Sequence, residues 1–302
     1  MRQEHYPWLK CASDEASRDA QGWYFRLLAV QLMLFFLVGL TGAIQYVLPI
    51  STQRHATVAI SVLLALAIIA TLLGRERKLD KIWFDSRAVA ESVKTATWRF
   101  MMGAPPFQPQ PTANIEASFL AELDEIRKAR PDIDEHLSGR ASNVQPISDY
   151  MRSLRQSDFA TRKSAYLTDR AADQRDWYSS KAKWNLRRKT IWYVTSISLQ
   201  VLALILAIFV ASYGGFPFNA VGLLMTAAAS VTAWSQAKRY DDLPNSYGLA
   251  AQELRTIYTL IERTNNEDEF RELVDQGEEA VSREHTMWCA RRSVRITSNA
   301  RK

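Results

Sequence analysis

The chain has 302 residues, of which 47% are hydrophobic and 23% are charged, and its net charge is +6. These averages would suit a soluble protein, but four blocks of sequence contain no acidic or basic side chain, and nearly all charge lies outside them. The blocks span residues 27–48, 56–73, 190–212 and 218–234. Such segregation argues against an ordinary soluble fold and favours a membrane chain.

Each block is long enough to cross a lipid bilayer as a helix. The hydrocarbon layer is about 30 Å thick and a helix rises about 1.5 Å per residue, so about 20 apolar residues suffice. The first block is longer than the apolar region of a secretory signal, which is about 7–15 residues. We therefore expect an all-α integral membrane protein with four transmembrane helices and the lipid bilayer as a partner.

Basic residues crowd the edges of the blocks, as in Arg75–Lys78 and Arg187–Lys189, whereas the short loops inside the two pairs hold only Arg54 and His55. Positive charge is retained on the cytoplasmic side of membranes. This pattern places the loops outside and both termini, with the helical extensions, in the cytoplasm. It also explains the basic net charge without a nucleic-acid partner.

The sequence repeats itself at a spacing of 161 residues without a gap. Trp23 then aligns with Trp184, and Arg26 with Arg187, just before each pair of spans. Because each unit crosses the membrane an even number of times, the two hairpins form a parallel repeat. We divide the chain into a first hairpin unit (1–102), a Pro-rich spacer with a short amphipathic helix (103–145), and a second hairpin unit (146–302).

The regions outside the spans are predicted to be helical or extended. Residues 103–112 contain four prolines and are interpreted as an extended spacer. Apolar side chains at helical spacing predict amphipathic helices over 115–129 and 267–285. Residues 147–189 contain no proline or glycine, so we expect one long helix that runs into the third span.

No catalytic, metal-binding or cofactor-binding pattern is present. The four histidines are dispersed, and His285 and Cys289, four residues apart, are too few for a zinc site. No Gly-rich phosphate loop or nucleophile motif occurs. We expect no enzyme, no metal, no cofactor and, in a reducing cytoplasm, no disulfide between Cys11 and Cys289.

Uncharged polar residues recur within the spans. Gln31, Gln45, Ser196 and Gln200 are candidates for lining a pore, and several polar pairs lie four residues apart on one helix face. Such a stripe satisfies its hydrogen bonds either against a neighbouring helix or against water, and the sequence does not separate these two outcomes. The absence of charged residues within the spans argues against an ion-coupled transporter.

The segment before the third span, YLTDRAADQRDWYSSKAKWNLRRKTIWY, resembles the signature of SLATT proteins, two-transmembrane effectors associated with SMODS nucleotidyltransferases and SLOG sensors. The first half resembles a more divergent copy, so the chain looks like two tandem copies, the second the clearer match. The matching positions proposed as an oligomer or interface motif are Tyr166, Arg170, Gln174, Trp177, Tyr178, Lys181 and Asn185.

The resemblance implies an effector that forms homo-oligomers and permeabilises the inner membrane in bacterial antiviral defence. Its trigger would be a nucleotide second messenger or a separate sensor protein. The seven-residue spacing of Trp177, Trp184 and Ile191 places them on one helix face, where the tryptophans are membrane anchors or subunit contacts. The alternative is a membrane-anchored scaffold that conducts nothing and holds a soluble partner.

Overall fold

The computed structural model describes residues 1–109, 114–140, 145–215 and 218–282, and the described residues include helices but no β-strand. The helices, in chain order, are α1 (Trp8–Ile44), α2 (Ile50–Glu76), α3 (Leu79–Met102), α4 (Ile115–Lys128), α5 (Asp134–Leu137), α6 (Asp149–Gln156), α7 (Phe159–Tyr166), α8 (Asp173–Tyr213), α9 (Ala220–Lys238), α10 (Leu243–Arg263) and α11 (267–282). A π-helical segment, Leu167–Ala172, joins α7 to α8. The expected all-α fold is confirmed for these residues.

The chain forms two compact units, and each draws on both sequence repeats. The packed unit contains Met1–Gln21, Asp80–Ala182 and the described residues from Asn245 onward. The hairpin unit contains Gly22–Leu79 and Lys183–Pro244. Its two segments begin at residues 22 and 183, which are separated by the 161 residues of the sequence repeat.

The backbone repeats at the same spacing. Among non-glycine residues of the described chain, Lys78 and Arg239 have positive φ angles, 45° and 56°, and they occupy equivalent positions after the second helix of each hairpin. Left-handed backbone is uncommon for residues with a side chain, so its occurrence at two aligned positions supports a duplicated unit. Burial follows the same register, since Val93 on α3 and its equivalent Leu254 on α10 are both buried.

In the hairpin unit, the four apolar blocks lie within the segments containing α1, α2, α8 and α9. Among the described residues, three continuous helical stretches are long and apolar enough to cross a membrane by length and composition: Trp8–Val47, Ile50–Met102 and Phe159–Tyr213. Helix α9 has 19 residues, several of them hydroxylic, and is not among these three. The arrangement of four spans in two hairpins therefore stays a prediction.

The packed unit has an aromatic core. Trp98, Phe100, Phe119 and Phe270 are at most 1% exposed, and the rings of Phe100 and Phe119 lie 4.6 Å apart. The predicted amphipathic helices are confirmed as α4 and α11, which bury Phe119 and Phe270 on their apolar faces. The end of the second predicted helix, residues 283–285, lies outside the described residues, as does Cys289, whereas Cys11 is a buried free thiol.

Two local predictions differ from the structure. The prediction of a single helix over 147–189 is wrong, because one helix ends at Gln156 and the next begins at Phe159. Asp158 caps the new helix by accepting a hydrogen bond from the backbone N–H of Thr161, at 2.9 Å, which stabilises a helix start at this point. Helical structure is continuous only from Phe159 to Tyr213.

The first part of the predicted spacer forms a turn and is not extended. The backbone N–H of Phe107 donates to the carbonyl oxygen of Ala104 at 2.8 Å, and both residues are buried. Burial of the Phe107 ring against Phe119 draws this segment into the aromatic core. Residues 110–112 of the predicted spacer lie outside the described residues.

Candidate functional site

The polar side chains of the first hairpin bond across it. The Nε2 of Gln31 on α1 donates to the Oγ1 of Thr71 on α2 at 2.9 Å, and the Nε2 of Gln45 donates to Thr57 at the same distance. Hydrogen bonds between helices in an apolar environment are worth about 0.6–2 kcal/mol each. Both glutamines thus have a partner within their own hairpin.

The second hairpin also has an interhelical polar contact. The hydroxyls of Ser196 on α8 and Thr232 on α9 lie 2.9 Å apart, and Ser196 is buried. The Nε2 of Gln200 donates to the Ser196 hydroxyl at 3.0 Å, one helical turn away, while Gln200 itself is exposed. Of the four residues proposed to line a pore, Gln200 is the one on an exposed face.

Helices α1 and α9 hold the two hairpins together within the hairpin unit. A Cβ added at Gly39 would lie 3.2 Å from the side chain of Thr226, so the absence of a side chain at Gly39 permits this close approach. The backbone N–H of Asn219 donates to the carbonyl oxygen of Ala43 at 3.1 Å. Close packing between small residues is a general mode of helix association in membranes.

Most of the apolar surface of the long helices faces outward. In the most apolar stretches of the three candidate spans, only 6–11% of residues are buried within the chain. On α8, for example, Leu204, Ile205 and Ile208 are each about 60% exposed. This surface is available to lipid or to further copies of the chain.

A charged pair is buried in the packed unit. The guanidinium of Arg170, in the π-helical segment, donates through Nε and Nη2 to both carboxylate oxygens of Glu278 on α11, at 2.8 and 2.5 Å. Tyr166 and Thr95 donate their hydroxyls to the same carboxylate at 3.2 and 3.0 Å. Arg170 and Glu278 are 2% and 0% exposed, so the pair is shielded from water.

Burial and neighbouring charges shift the pKa values of Arg170, Tyr166 and the nearby Tyr6. Burial opposes the charge on Arg170, but Glu278 outweighs it and raises the pKa of Arg170. Burial, with the negative charge of Glu278, raises the pKa of Tyr166 well above its usual value. Both Tyr166 and Tyr6, whose hydroxyl accepts a hydrogen bond from Trp98 Nε1 at 3.0 Å, are neutral at physiological pH. The cluster is a polar junction built around the Arg170–Glu278 pair.

The junction joins the two repeats. Thr95 comes from α3 of the first repeat, whereas Tyr166, Arg170 and Glu278 come from the second. Single π-helical turns inside α-helices are rare and often mark functional positions. Here Arg170, which donates to the Glu278 carboxylate, lies in the π-helical segment.

The seven residues of the proposed interface motif divide into two groups. Five are buried: Tyr166, Arg170, Gln174 and Tyr178, which belong to the packed unit, and Asn185, which belongs to the hairpin unit. Two are exposed, Trp177 and Lys181, and the Lys181 ammonium lies 5.8 Å from the Trp177 ring centre. Much of the motif therefore serves internal packing, and Trp177 with Lys181 is its surface part.

Glu278 was not anticipated from the sequence, although a signal was present. The predicted amphipathic helix has its apolar face at Phe270, Val274 and Val281, and Glu278 lies on that same face. A carboxylate on a buried helix face requires a cationic partner, because an isolated buried charge is very costly. The partner, Arg170, is 108 residues away.

No catalytic or metal centre emerges from these contacts. Among the described residues, no group of three or more His, Cys, Asp or Glu side chains is arranged to hold a metal ion. Gln31, Gln45 and Ser196 of the hairpins and the Glu278 carboxylate of the junction take part in hydrogen bonds between elements. Their arrangement can hold helices in register.

Comparison with protein families identifies both repeats. Residues 7–163 match the family described as SMODS and SLOG-associating 2TM effector domain 3, and residues 166–288 match SMODS and SLOG-associating 2TM effector domain 1. No curated protein matches the chain, and no solved structure matches it. The two matches lie in tandem and correspond to the two halves of the sequence repeat.

Proposed function

The chain belongs to the SLATT family of two-transmembrane effector domains, with two such domains in tandem, and we propose that it is a membrane effector that oligomerises and permeabilises the bacterial inner membrane. SLATT domains are effector modules associated with defence systems, which supports a role in antiviral defence. The trigger would be a nucleotide signal or a separate sensor protein.

The observation that carries the proposal is the exposure of a long polar side chain, Gln200, on α8. Gln200 lies in an apolar helix and, within the described chain, is exposed beside large aliphatic side chains. A polar side chain facing lipid is unfavourable, whereas the same side chain facing another copy or a water-filled path is satisfied. Assembly of several copies around α8 would provide that environment.

We further propose that α9 is the fourth span and that both termini are cytoplasmic. At about 1.5 Å per residue, its 19 residues reach about 28 Å, close to the thickness of the hydrocarbon layer. Its contacts with Gly39 and Ala43 of α1 shield its less apolar surface. A cysteine introduced at Gly215 should then react with an impermeant maleimide added outside intact spheroplasts; protection there, with labelling from inside, would contradict this topology.

The function is tested by reconstitution of the full-length chain. The proposal predicts a discrete oligomer in detergent and release of a trapped dye from liposomes, either spontaneously or on addition of the trigger. The Gln200→Leu variant should release dye more slowly, whereas Gln31→Leu, which alters a contact inside one hairpin, should change release less. Equal release by both variants would show that the exposed face of α8 lines no path.

A scaffold without conduction is the second candidate, and one observation favours it. Gln31, Gln45 and Ser196 all bond to a neighbouring helix of their own chain, as packing alone would require. A scaffold predicts that liposomes stay tight under every condition while the packed unit retains a soluble partner. The release experiment therefore separates the two functions.

A further inference from the structure

The packed unit contains a cavity with an unusual concentration of arginine. Its volume is about 600 Å³, within the range of small-molecule sites, which is about 300–1,000 Å³. The cationic lining residues are Arg152, Arg155, Arg162 and Arg271, and the acidic one is Glu116. The apolar wall includes Phe100, Met102 and Ile115.

Two of the arginines are held in place by hydrogen bonds to backbone carbonyl oxygens. Arg162 donates through Nη1 to the carbonyl oxygens of Arg155 and Ser157, at 3.2 and 3.1 Å. Arg155 donates to the carbonyl oxygens of Phe100 and, at 2.8 Å, of Phe107. Fixed guanidinium groups lose little freedom when a ligand binds, which favours tight binding.

Hydrogen-bonding capacity remains at this site. The Nε atoms of Arg162 and Arg271 are buried and have no hydrogen-bond partner among the described residues. Buried donors without partners are uncommon, and each one calls for an explanation. A ligand oxygen between these two side chains would supply the missing acceptor.

The charge that an anion would offset lies on Arg155. Burial, together with the positive charges of Arg162 and Arg271, lowers the pKa of Arg155 to about 10. The other arginines have carboxylate partners: Glu116 and Asp149 pair with Arg152, Glu267 pairs with both Arg162 and Arg271, and Asp268 pairs with Arg271. Among the described residues, no carboxylate pairs with Arg155, so its charge is the one that a bound anion would balance.

We propose that this cavity binds a phosphate-bearing small molecule of nucleotide size, with its phosphates on the arginines and its ring against Phe100, Met102 and Ile115. Planar guanidinium groups match phosphate oxygens in pairs, and the apolar wall suits a base or similar ring. Binding follows from the cavity alone; only its consequence, regulation of membrane permeability, rests on the proposed function.

The test measures binding directly on the full-length protein in detergent. Titration calorimetry with ATP, GTP, CTP and UTP should give saturable binding to at least one nucleotide, and inorganic pyrophosphate should compete weakly. The variants Arg152→Gln and Arg271→Gln should each weaken binding about tenfold or more, the loss of roughly one charge-assisted hydrogen bond. Glu116→Gln should strengthen binding, because it removes the competing carboxylate.

Arg130→Gln is the matched control. Arg130 is also in the packed unit and pairs with Asp85 at 3.5 Å, but it does not line the cavity, so its replacement should leave affinity unchanged. Thermal unfolding of each variant shows whether it is folded. A folded Arg271→Gln variant with undiminished affinity would overturn the site, as would the absence of binding by every nucleotide tested.

Two further outcomes are decisive. If vesicles containing phosphatidylglycerol displace the nucleotide but vesicles of phosphatidylcholine do not, the phosphate comes from a lipid headgroup, and the nucleotide assignment is overturned. If nucleotide binds as predicted while liposomes stay tight with and without it, the site stands and the proposed permeabilising function fails. Failure of the site and failure of the function are thus distinguishable.

Discussion

The buried pair of Arg170 and Glu278 permits a quantitative prediction. Replacing Glu278 with glutamine keeps its size but retains only one acceptor oxygen, whereas Tyr166 and Thr95 donate to different oxygens of the carboxylate, and it leaves the Arg170 guanidinium buried without a counter-charge. Removing one partner of a buried ion pair costs about 3–5 kcal/mol. Since Arg170 is only 2% exposed, water cannot compensate, and we expect a loss in that range.

The assay is guanidinium-induced unfolding of the detergent-solubilised chain, followed by tryptophan fluorescence. The control is Asp124→Asn, which breaks the exposed pair of Asp124 with Lys128 and should hardly move the unfolding midpoint. The double variant Arg170→Met, Glu278→Leu should recover most of the loss, because two apolar side chains of similar volume leave no buried charge. If Glu278→Gln lowers the unfolding midpoint no more than Asp124→Asn does, Arg170 and Glu278 do not form a buried ion pair.

Three further predictions concern the hairpins and the response to pH. Gly39→Val should destabilise the hairpin unit by about 1–3 kcal/mol through overpacking against Thr226 and so lower its thermal midpoint, whereas Gly74→Val, where a Cβ meets nothing within 4 Å, should not. Equal midpoints for the two variants would show that Gly39 and Thr226 are not in close contact. Gln200→Leu should weaken self-association in detergent about tenfold, as measured by analytical ultracentrifugation, and an unchanged mass distribution would exclude α8 from the interface. Burial raises the pKa of Tyr6 to about 12. Near pH 10 the unfolded chain therefore loses the Tyr6 proton while the folded chain keeps it. The free energy of unfolding should then fall between pH 10 and 12, by up to about 1.4 kcal/mol per pH unit. Circular dichroism should show a shallower fall for Tyr6→Phe, and an identical fall would contradict the shift.

The repeat and the apolar helices were predictable because they depend on local composition. Blocks without charge identify bilayer-length helices, and the alignment of Trp23 with Trp184 identifies the duplication from the sequence alone. The structure adds the left-handed backbone at Lys78 and Arg239, which no propensity would assign to lysine or arginine. Their agreement at the same spacing is independent support for the repeat.

Contacts between distant parts of the chain were not predictable in the same way. Nothing in the sequence pairs Arg170 with Glu278 across 108 residues, and no pattern indicates a π-helical segment at Leu167–Ala172. The helix break at Asp158 was missed because a Ser-Asp pair is a weaker stop than proline or glycine, although Asp158 is a favoured capping residue. The division of motif residues into buried and exposed groups likewise depends on tertiary packing.

The polar residues of the spans illustrate what a pattern leaves open. The sequence grouped Gln31, Gln45, Ser196 and Gln200 as one candidate set, since all are uncharged polar residues in apolar helices. In the structure three of them bond to a neighbouring helix, whereas Gln200 bonds one turn back along its own helix and is exposed. Which neighbour a polar side chain meets depends on how the helices rotate against each other, and a single sequence does not encode that directly.

The central claim is that assembled copies make the membrane permeable. The most direct measurement is release of a trapped dye from liposomes that contain the purified full-length chain, with its oligomeric mass determined in parallel and with candidate nucleotides added in turn. Release that accompanies a discrete oligomer, and that slows in the Gln200→Leu variant, is the result we predict. Liposomes that remain tight at every protein concentration and with every nucleotide, despite a folded oligomer, would contradict the permeabilising function and favour the scaffold.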